Sequence, residues 1–426
     1  MSLVESHGAA VQALASGIHA VSQSTNSFAA TQAAWRFFHN PRISLSDLAA
    51  PLVEFARQES HAHCENYLLA AHDWSQLLYE QHSSKKDRLN LSSKHVPEGY
   101  EILTALLISD RDGLPIAPVE IGLRAVDGVH CSRSKEVIAA VSPLDEILPV
   151  MEHINQLSLP RPVVHIVDAE ADSIDHFRQW SAAGHLFLVR ADDRLVMHAG
   201  REKRCSAIQA ELREQGKFKL ARPVLYHGRK AQQFVAEATV VLTRAAQRNR
   251  PGVGDRRRIP GPPLALRLII SEVRDLKGKL LATWLLLTNV AADVAAEQLA
   301  LWYYWRWNIE KFFKLIKSAG LEIEQWQQES ADAIARRLWV ACMACVSVWQ
   351  LARSQQPAAE PARQLLVRLS GRQMKYGVKF TLPALLAGMW TLLTMLETLE
   401  HYTIDQLREI AAVALPQRYP TKPPDV

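Results

Sequence analysis

Between Tyr303 and Lys317 the chain reads YYWRWNIEKFFKLIK, a stretch whose residue types suit phosphate and metal chemistry. At about 100° per residue on a helix, Tyr303, Arg306, Glu310 and Lys317 fall within about 60° of arc, with Lys314 beside them. Leu301, Trp305, Ile309, Phe312 and Ile316 take the opposite side. The commoner meaning of such a face is a solvated stripe on an amphipathic helix. Two details point further. Glu310 stands among cations, where a carboxylate stays ionised and can hold a metal. Trp307 projects close to the polar stripe, where an indole has no use unless it packs on something.

Two aspartates earlier in the chain need elements to carry them. Asp73 lies inside the apolar-alternating run from Tyr67, which reads as a buried strand with a carboxylate midway. A charge there is costly unless it is paired or metal-bound. Asp168 ends Val163–Val167, an apolar run broken only by His165 and typical of a strand covered on both faces. Open sheets place their sites at such strand ends. Between them YEILTALLIS and PIAPVEIGLRA form a hairpin by pattern, turning at Asp110–Gly113, and a helix capped by Ser142 follows. After Asp168 come a helix starting near Asp172 and a strand, HLFLVRADD, with Arg190 near its end. A continuous helix is expected over Trp302–Lys317.

The spacing Tyr303-x2-Arg306-x3-Glu310-x6-Lys317 resembles the signature of the cut-and-paste DDE transposases of bacterial insertion sequences, in particular the YREK branch, the insertion-sequence-four group with the Tn-five-type enzymes. DAEAD at Asp168 is similar to that family's second aspartate motif, with Ala169 where arginine is usual. AAWRFFHNPRIS near the N-terminus and WLLLTN, with Trp284, resemble two more of its stretches. The resemblance implies an α/β fold with a ribonuclease-H-like catalytic core interrupted by a β-rich insertion domain, and helical N- and C-terminal regions. The boundaries expected are a helical DNA-binding region over 1–60, core over 61–191, insertion over 192–289, core with the signature helix over 290–353, and a helical dimerisation region and tail over 354–426.

The resemblance also implies a site. Asp73, Asp168 and Glu310 would be the catalytic and metal-binding carboxylates, holding two Mg²⁺ ions, with Mn²⁺ as a substitute. Tyr303, Arg306 and Lys317 would bind a phosphate near the cut, with Lys314 and Arg190 as further DNA contacts. Trp284 and Trp307 would serve a base flipped from the duplex on the way to a hairpin. Partners would be double-stranded DNA, as element ends and target, and a second copy of the chain, at least on DNA. The place would be the bacterial cytoplasm at the nucleoid. Two other readings use the same residues: a domesticated DNA-binding protein without catalysis, and a ribonuclease-H-like nuclease that stops at hydrolysis. Retention of all three acids argues against the first. The signature helix and the apolar C-terminal segment favour transposition over the second.

Composition sets outer bounds. The 426 residues suffice for several domains, and a net charge of +5 permits nucleic-acid binding. No apolar run is expected to span a membrane, and MSLVESHG shows no signal-peptide pattern. The five cysteines are scattered; Cys342 and Cys345 lack the second pair a structural zinc needs and read as core thiols. The Pro/Gly-rich segment 244–263 reads as a solvated loop or a phosphate grip, with Arg244, Arg248, Arg250, Arg256, Arg257 and Arg258. SQQPAAEPARQ reads as a linker, the apolar 381–411 segment as a dimerisation helix, and 416–426 as a disordered tail.

Overall fold

The computed structural model describes residues 25–91, 98–139, 142–249, 256–317 and 321–414. The chain divides into two compact units. One holds Leu45–Gln76 and Leu89–Phe313; the other holds the described parts of Met1–Ser44, Leu77–Arg88 and Lys314–Val426.

Helices α1 (Thr25–Phe38) and α2 (Leu45–His63) are separated at Asn40–Pro41, where Asn40 Oδ1 accepts from the Arg42 amide at 3.0 Å. Then β1 (Leu68–Leu78), β2 (Leu89–Asn90), β3 (Glu98–Ser109), β4 (Pro115–Ala125) and β5 (Gly128–Cys131) follow. Ser142 caps a 3₁₀ turn, accepting from the Leu144 amide, and the turn leads into α3 (Ile147–Gln156). Next come β6 (Val163–Val167), α4 (Ile174–Ala182) and β7 (Leu186–Ala191). The sheet continues with β8 (Leu195–His198), β9 (Arg201–Arg204), α5 (Cys205–Glu214), β10 (Lys219–Tyr226) and β11 (Arg229–Leu242). After β12 (Ala246–Asn249) and β13 (Arg256–Ile259) come β14 (Leu264–Asp275) and β15 (Leu280–Thr288). Helices α6 (Ala296–Trp305) and α7 (Trp307–Lys317) complete this stretch, and α7 runs on into the second unit.

Among the described residues one thirteen-stranded sheet dominates, in the order β5-β4-β3-β1-β6-β7-β15-β14-β11-β8-β9, with β10 on β11 and β2 on β3. The β1-β6 and β6-β7 pairs are parallel; β7-β15 and β14-β15 are antiparallel. Apart from β12 and β13, which pair with each other, the strands of 192–289 are therefore hydrogen-bonded onto the same sheet through β15. Parallel strands buried on both faces need continuous apolar sequence, which β6 supplies. His165 fits because its Nδ1 lies 2.8 Å from His72 Nε2, one ring donating and the other accepting. Burial and then the neighbouring His185 push His72 down to about 3, so it stays neutral. Helix α4 packs Phe177 and Trp180 onto Phe187 of β7, with the Phe177 and Phe187 rings stacked at 5.4 Å. Each such buried ring contributes about 1.5–3 kcal/mol.

The second unit is helical: α8 (Ala331–Arg353), α9 (Ala359–Leu369), α10 (Leu382–His401) and α11 (Ile404–Ala414). Helix α8 is buried on nearly every side, and it buries Cys342 and Cys345 completely as free thiols. Gly388 lets α10 lie against the Leu366 backbone of α9; a Cβ there would sit 1.9 Å from the Leu366 carbonyl oxygen.

Four expectations need correction. The signature helix is interrupted at Arg306, between α6 and α7, where the hydrogen bonding changes although the residue keeps helical dihedrals, φ −49° and ψ −34°. The expected linker carries α9, because Pro361 falls in the first turn, where a missing N–H costs little. The arginine-rich segment is not an irregular loop throughout: β12 and β13 pair as an antiparallel ribbon, and Arg244 binds Glu202 at 2.7 Å. Arg250 lies outside the described residues, as does the 416–426 tail. Helix α10 is long and apolar enough to cross a membrane, by length and composition only.

Candidate active site

The three carboxylates approach one side chain. Arg306 Nη1 donates to Asp73 Oδ2 at 2.9 Å, and its Nη2 donates to Asp168 Oδ2 at 2.7 Å and to Glu310 Oε1 at 3.3 Å. The guanidinium is 5% exposed, against 20% for Asp73, 30% for Asp168 and 36% for Glu310. So the acids face solvent on one side and share a buried cation on the other. Tyr303 Oη donates to Asp168 Oδ1 at 3.1 Å, and Arg190 Nη1 stands 3.7 Å from the same oxygen.

Strand geometry explains the convergence. Parallel pairing of β1 with β6 matches Ala71 to Ile166, so Asp73 and Asp168 emerge side by side where the paired stretch ends. Asp168 Oδ1 also accepts from the Ala169 amide at 2.6 Å, capping the turn that leaves the sheet. Glu310 is one turn past Arg306, within the first turn of α7.

The break at Arg306 is buttressed by the β3–β4 turn. Trp302 Nε1 and Gln298 Nε2 donate to the Asp110 carbonyl at 3.4 and 3.3 Å, and Asn308 Nδ2 donates to the Gly113 carbonyl at 2.7 Å. Trp305 packs on Gly113, where an added Cβ would lie 2.4 Å from the indole and φ is +71°. Across the junction the bonds shorten to three-residue spacing, Arg306 N–H to the Tyr303 carbonyl and Ile309 N–H to the Arg306 carbonyl. Helical periodicity yields here to tertiary contacts. Gly113→Ala is accordingly expected to destabilise the protein by about 1–3 kcal/mol and to slow turnover by shifting Arg306. Urea unfolding measures the first effect, and a variant as stable as wild type would contradict the buttress.

Burial pushes the carboxyls of Asp73 and Glu310 above their ordinary range, against the pull of Arg306. The other acids of the cluster push the same way. Burial, with Asp168 nearby, also raises the Tyr303 phenol, which stays protonated as a donor. For Arg306, burial alone would lower its value, but Asp73, Tyr303 and Asp168 outweigh it and hold the charge in place.

Trp284 and Trp307 line one shallow cleft with Gln233, Ser271, Leu286, Ala300, Tyr303 and Tyr304. Trp307 is 51% exposed, and Gln233 Nε2 donates to Ser271 Oγ at 2.8 Å. The spacing of residues in sequence offered no sign of Gln233, Ser271 or Tyr304 here; sheet register brings them in. Lys314 and Lys317 belong to the last turns of α7, in the second compact unit. Lys317 Nζ lies 3.9 Å from Glu324 Oε1.

The sequence profile of the transposase DDE domain family matches residues 130–346, just over half of the chain. Asp168 and Glu310 fall inside that range and Asp73 precedes it. No curated protein sequence matches. One similar solved structure is the cryo-EM structure of the piggyBac transposase synaptic complex with hairpin DNA, with a TM-score of 0.36 and 10% identity. The match covers 85% of this chain and 59% of that one, so the chain spans less than two thirds of that protein's length.

Proposed function

The chain belongs to the transposase DDE domain family, and from that premise we infer that it is a DNA transposase. It would bind element ends, cleave the DNA by metal-dependent hydrolysis through a hairpin, and join the freed 3′-hydroxyls to target DNA. The observation that carries the reading is the bonding of one guanidinium to Asp73, Asp168 and Glu310 together. Three carboxylates gathered so closely serve no evident packing purpose, and a hard-oxygen donor set with a solvent-facing side suits Mg²⁺, which takes carboxylates and phosphate oxygens and keeps waters. The strand order β4-β3-β1-β6-β7 with parallel β1, β6 and β7 supports a ribonuclease-H-like core. The YREK spacing supports the insertion-sequence-four branch and the bacterial nucleoid as its place of work.

Asp73, Asp168 and Glu310 would hold two divalent ions. When bound, such a pair supplies the charge that favours both the attacking and the leaving oxygen of the phosphate. The rest falls to the chain. Arg306 would balance the charge of the acids and, with Tyr303 and Arg190, would face the phosphate; Lys314 and Lys317 are proposed as further DNA contacts. Tyr303 orients Asp168 through its hydroxyl. Exposed Met395, Leu396, Leu399, Ile404, Ile410 and Val413 along α10 and α11 support the dimer.

The cleft between the two indoles supports a flipped base. Flipping costs a few kcal/mol, and stacking on an aromatic returns about 1–3 kcal/mol per base. Trp284→Ala and Trp307→Ala are each expected to leave the first nick nearly normal and to slow hairpin closure about tenfold or more, followed with a 2-aminopurine probe beside the cut. Closure at the wild-type rate in both would remove the hairpin from the account.

The function is tested by incubating the protein with Mg²⁺ and DNA carrying its native element ends. Cleaved ends and joined products are expected. Cleavage without joining would favour the nuclease, and binding with neither the non-catalytic protein.

A further inference from the structure

We propose that the coiled outer ribbon of the sheet, β10–β11 with the adjoining β14–β15 turn, is a rim that grips DNA phosphates at the mouth of the aromatic cleft. The proposal rests on the DNA reading above and adds a surface to it. From Gln215 to Ala236 the chain carries five lysines and arginines and no Asp or Glu. One of the five is committed: Arg222 donates to the Glu297 carbonyl and ties β10 to the start of α6. Arg229 and Lys230 are exposed beside the β10–β11 turn, and Lys277 and Lys279 are exposed in the β14–β15 turn. None of these four has an ion-pair partner among the described residues. The neighbouring acid, Asp275, spends its Oδ1 on the backbone amides of Lys277 and Lys279, at 2.8 and 2.9 Å.

Register brings the two turns together. Ala231 of β11 pairs with Asp275 of β14, so Arg229 and Lys230 stand next to the turn that holds Lys277 and Lys279. The ribbon then coils back over the sheet, since the Tyr226 ring reaches within 6.4 Å of the Trp284 ring. Trp284 lines the cleft with Tyr303, and Tyr303 is bonded to Asp168. Strand β15 meets β7 at Leu285–Ala191 and Leu286–Arg190, so the cleft lies beside the Arg190 end of β7. A line therefore runs from unpaired cations, across aromatic rings, to the carboxylates. A strand of nucleic acid offers the matching sequence of groups: phosphates for the rim and a base for the rings. Lysines on an edge strand can also serve only to block pairing with another sheet. That accounts for Lys217 and Lys219 near β10, but Lys277 and Lys279 stand in the β14–β15 turn, where no strand edge needs guarding, and Arg229 and Lys230 face them from the first two residues of β11.

The test is the salt dependence of binding to a 30-base-pair duplex of random sequence, free of any end-recognition contribution. Each phosphate that a cation no longer neutralises should lower the slope of log K against log salt by about 0.9. Arg229→Ala/Lys230→Ala and Lys277→Ala/Lys279→Ala should each reduce the slope by about 1 to 2, with thermal stability unchanged. Arg229→Lys/Lys230→Arg should restore the wild-type slope, because charge and not shape is at issue. Wild-type slopes in both alanine pairs, with wild-type binding intact, would overturn the rim and leave the function standing. A wild-type protein that binds no duplex at any salt would overturn the DNA reading, and the rim with it.

Discussion

Alanine at Asp73, Asp168 or Glu310 is expected to abolish DNA cleavage while leaving DNA binding largely intact. The three acids come from β1, the end of β6 and α7, and all contact Arg306. No other carboxylate among the described residues contacts that guanidinium, so no neighbour is placed to replace a missing ligand. Loss of one would leave at most one ion well held, and a site that needs two should slow at least a thousandfold, roughly 4 kcal/mol in the barrier. Binding should persist, because removal of a negative charge does not weaken attraction to phosphate. A gel shift beside a cleavage assay separates the two. Cleavage near the wild-type rate in any one variant would remove that residue from the set.

Arg306→Ala carries the second large effect, and its size depends on metal. Without the guanidinium, three partly buried carboxylates lose their shared countercharge. Breaking a buried ion pair from one side costs about 3–5 kcal/mol. The acids are 20–36% exposed, so solvent screening brings the expectation to about 3 kcal/mol. Mg²⁺ should return much of it, since a divalent ion supplies the missing charge. Arg306→Lys should lose less, keeping charge but not the fork. Unfolding in EDTA and in excess Mg²⁺ tests this. A variant as stable as wild type in EDTA, or one no more responsive to Mg²⁺, would sink the idea.

The same acids fix a pH trend. Asp73 and Glu310 have folded values above their unfolded ones, so between the two values the native chain binds more protons than the unfolded chain. Stability of the metal-free protein therefore falls as pH rises through that window. Metal binding needs the acids deprotonated, so stabilisation by Mg²⁺ grows over the same window. Two unfolding series across pH, with and without Mg²⁺, should diverge as pH rises; parallel curves would contradict the shared site.

Local pattern carried much of the fold. Val163–Val167 and its terminal Asp168 were legible because a doubly covered strand must be apolar throughout. The Asp110–Gly113 turn was legible from its residue types, and α8 from its long apolar period. What escaped depended on distant partners. The break at Arg306 is made by Gly113, by Asn308 reaching back to it, and by acids from two strands, none visible inside WYYWRW. Gln233 and Ser271 meet the indoles only through the register of β11, β14 and β15. The α9 helix hid behind two prolines that composition assigns to a linker, and the β12–β13 ribbon behind a run of arginines. The residue types of the polar stripe suit a surface that meets phosphate, yet its central residue, Arg306, is turned inward onto the acids.

The most direct measurement is the number and position of Mn²⁺ ions, located by anomalous scattering in crystals of the protein with element-end DNA. Two ions between Asp73, Asp168 and Glu310, with a scissile phosphate against them, are the result the account predicts, together with loss of at least one in Asp168→Ala. Ions bound elsewhere, or the same two ions undisturbed in Asp168→Ala, would contradict it.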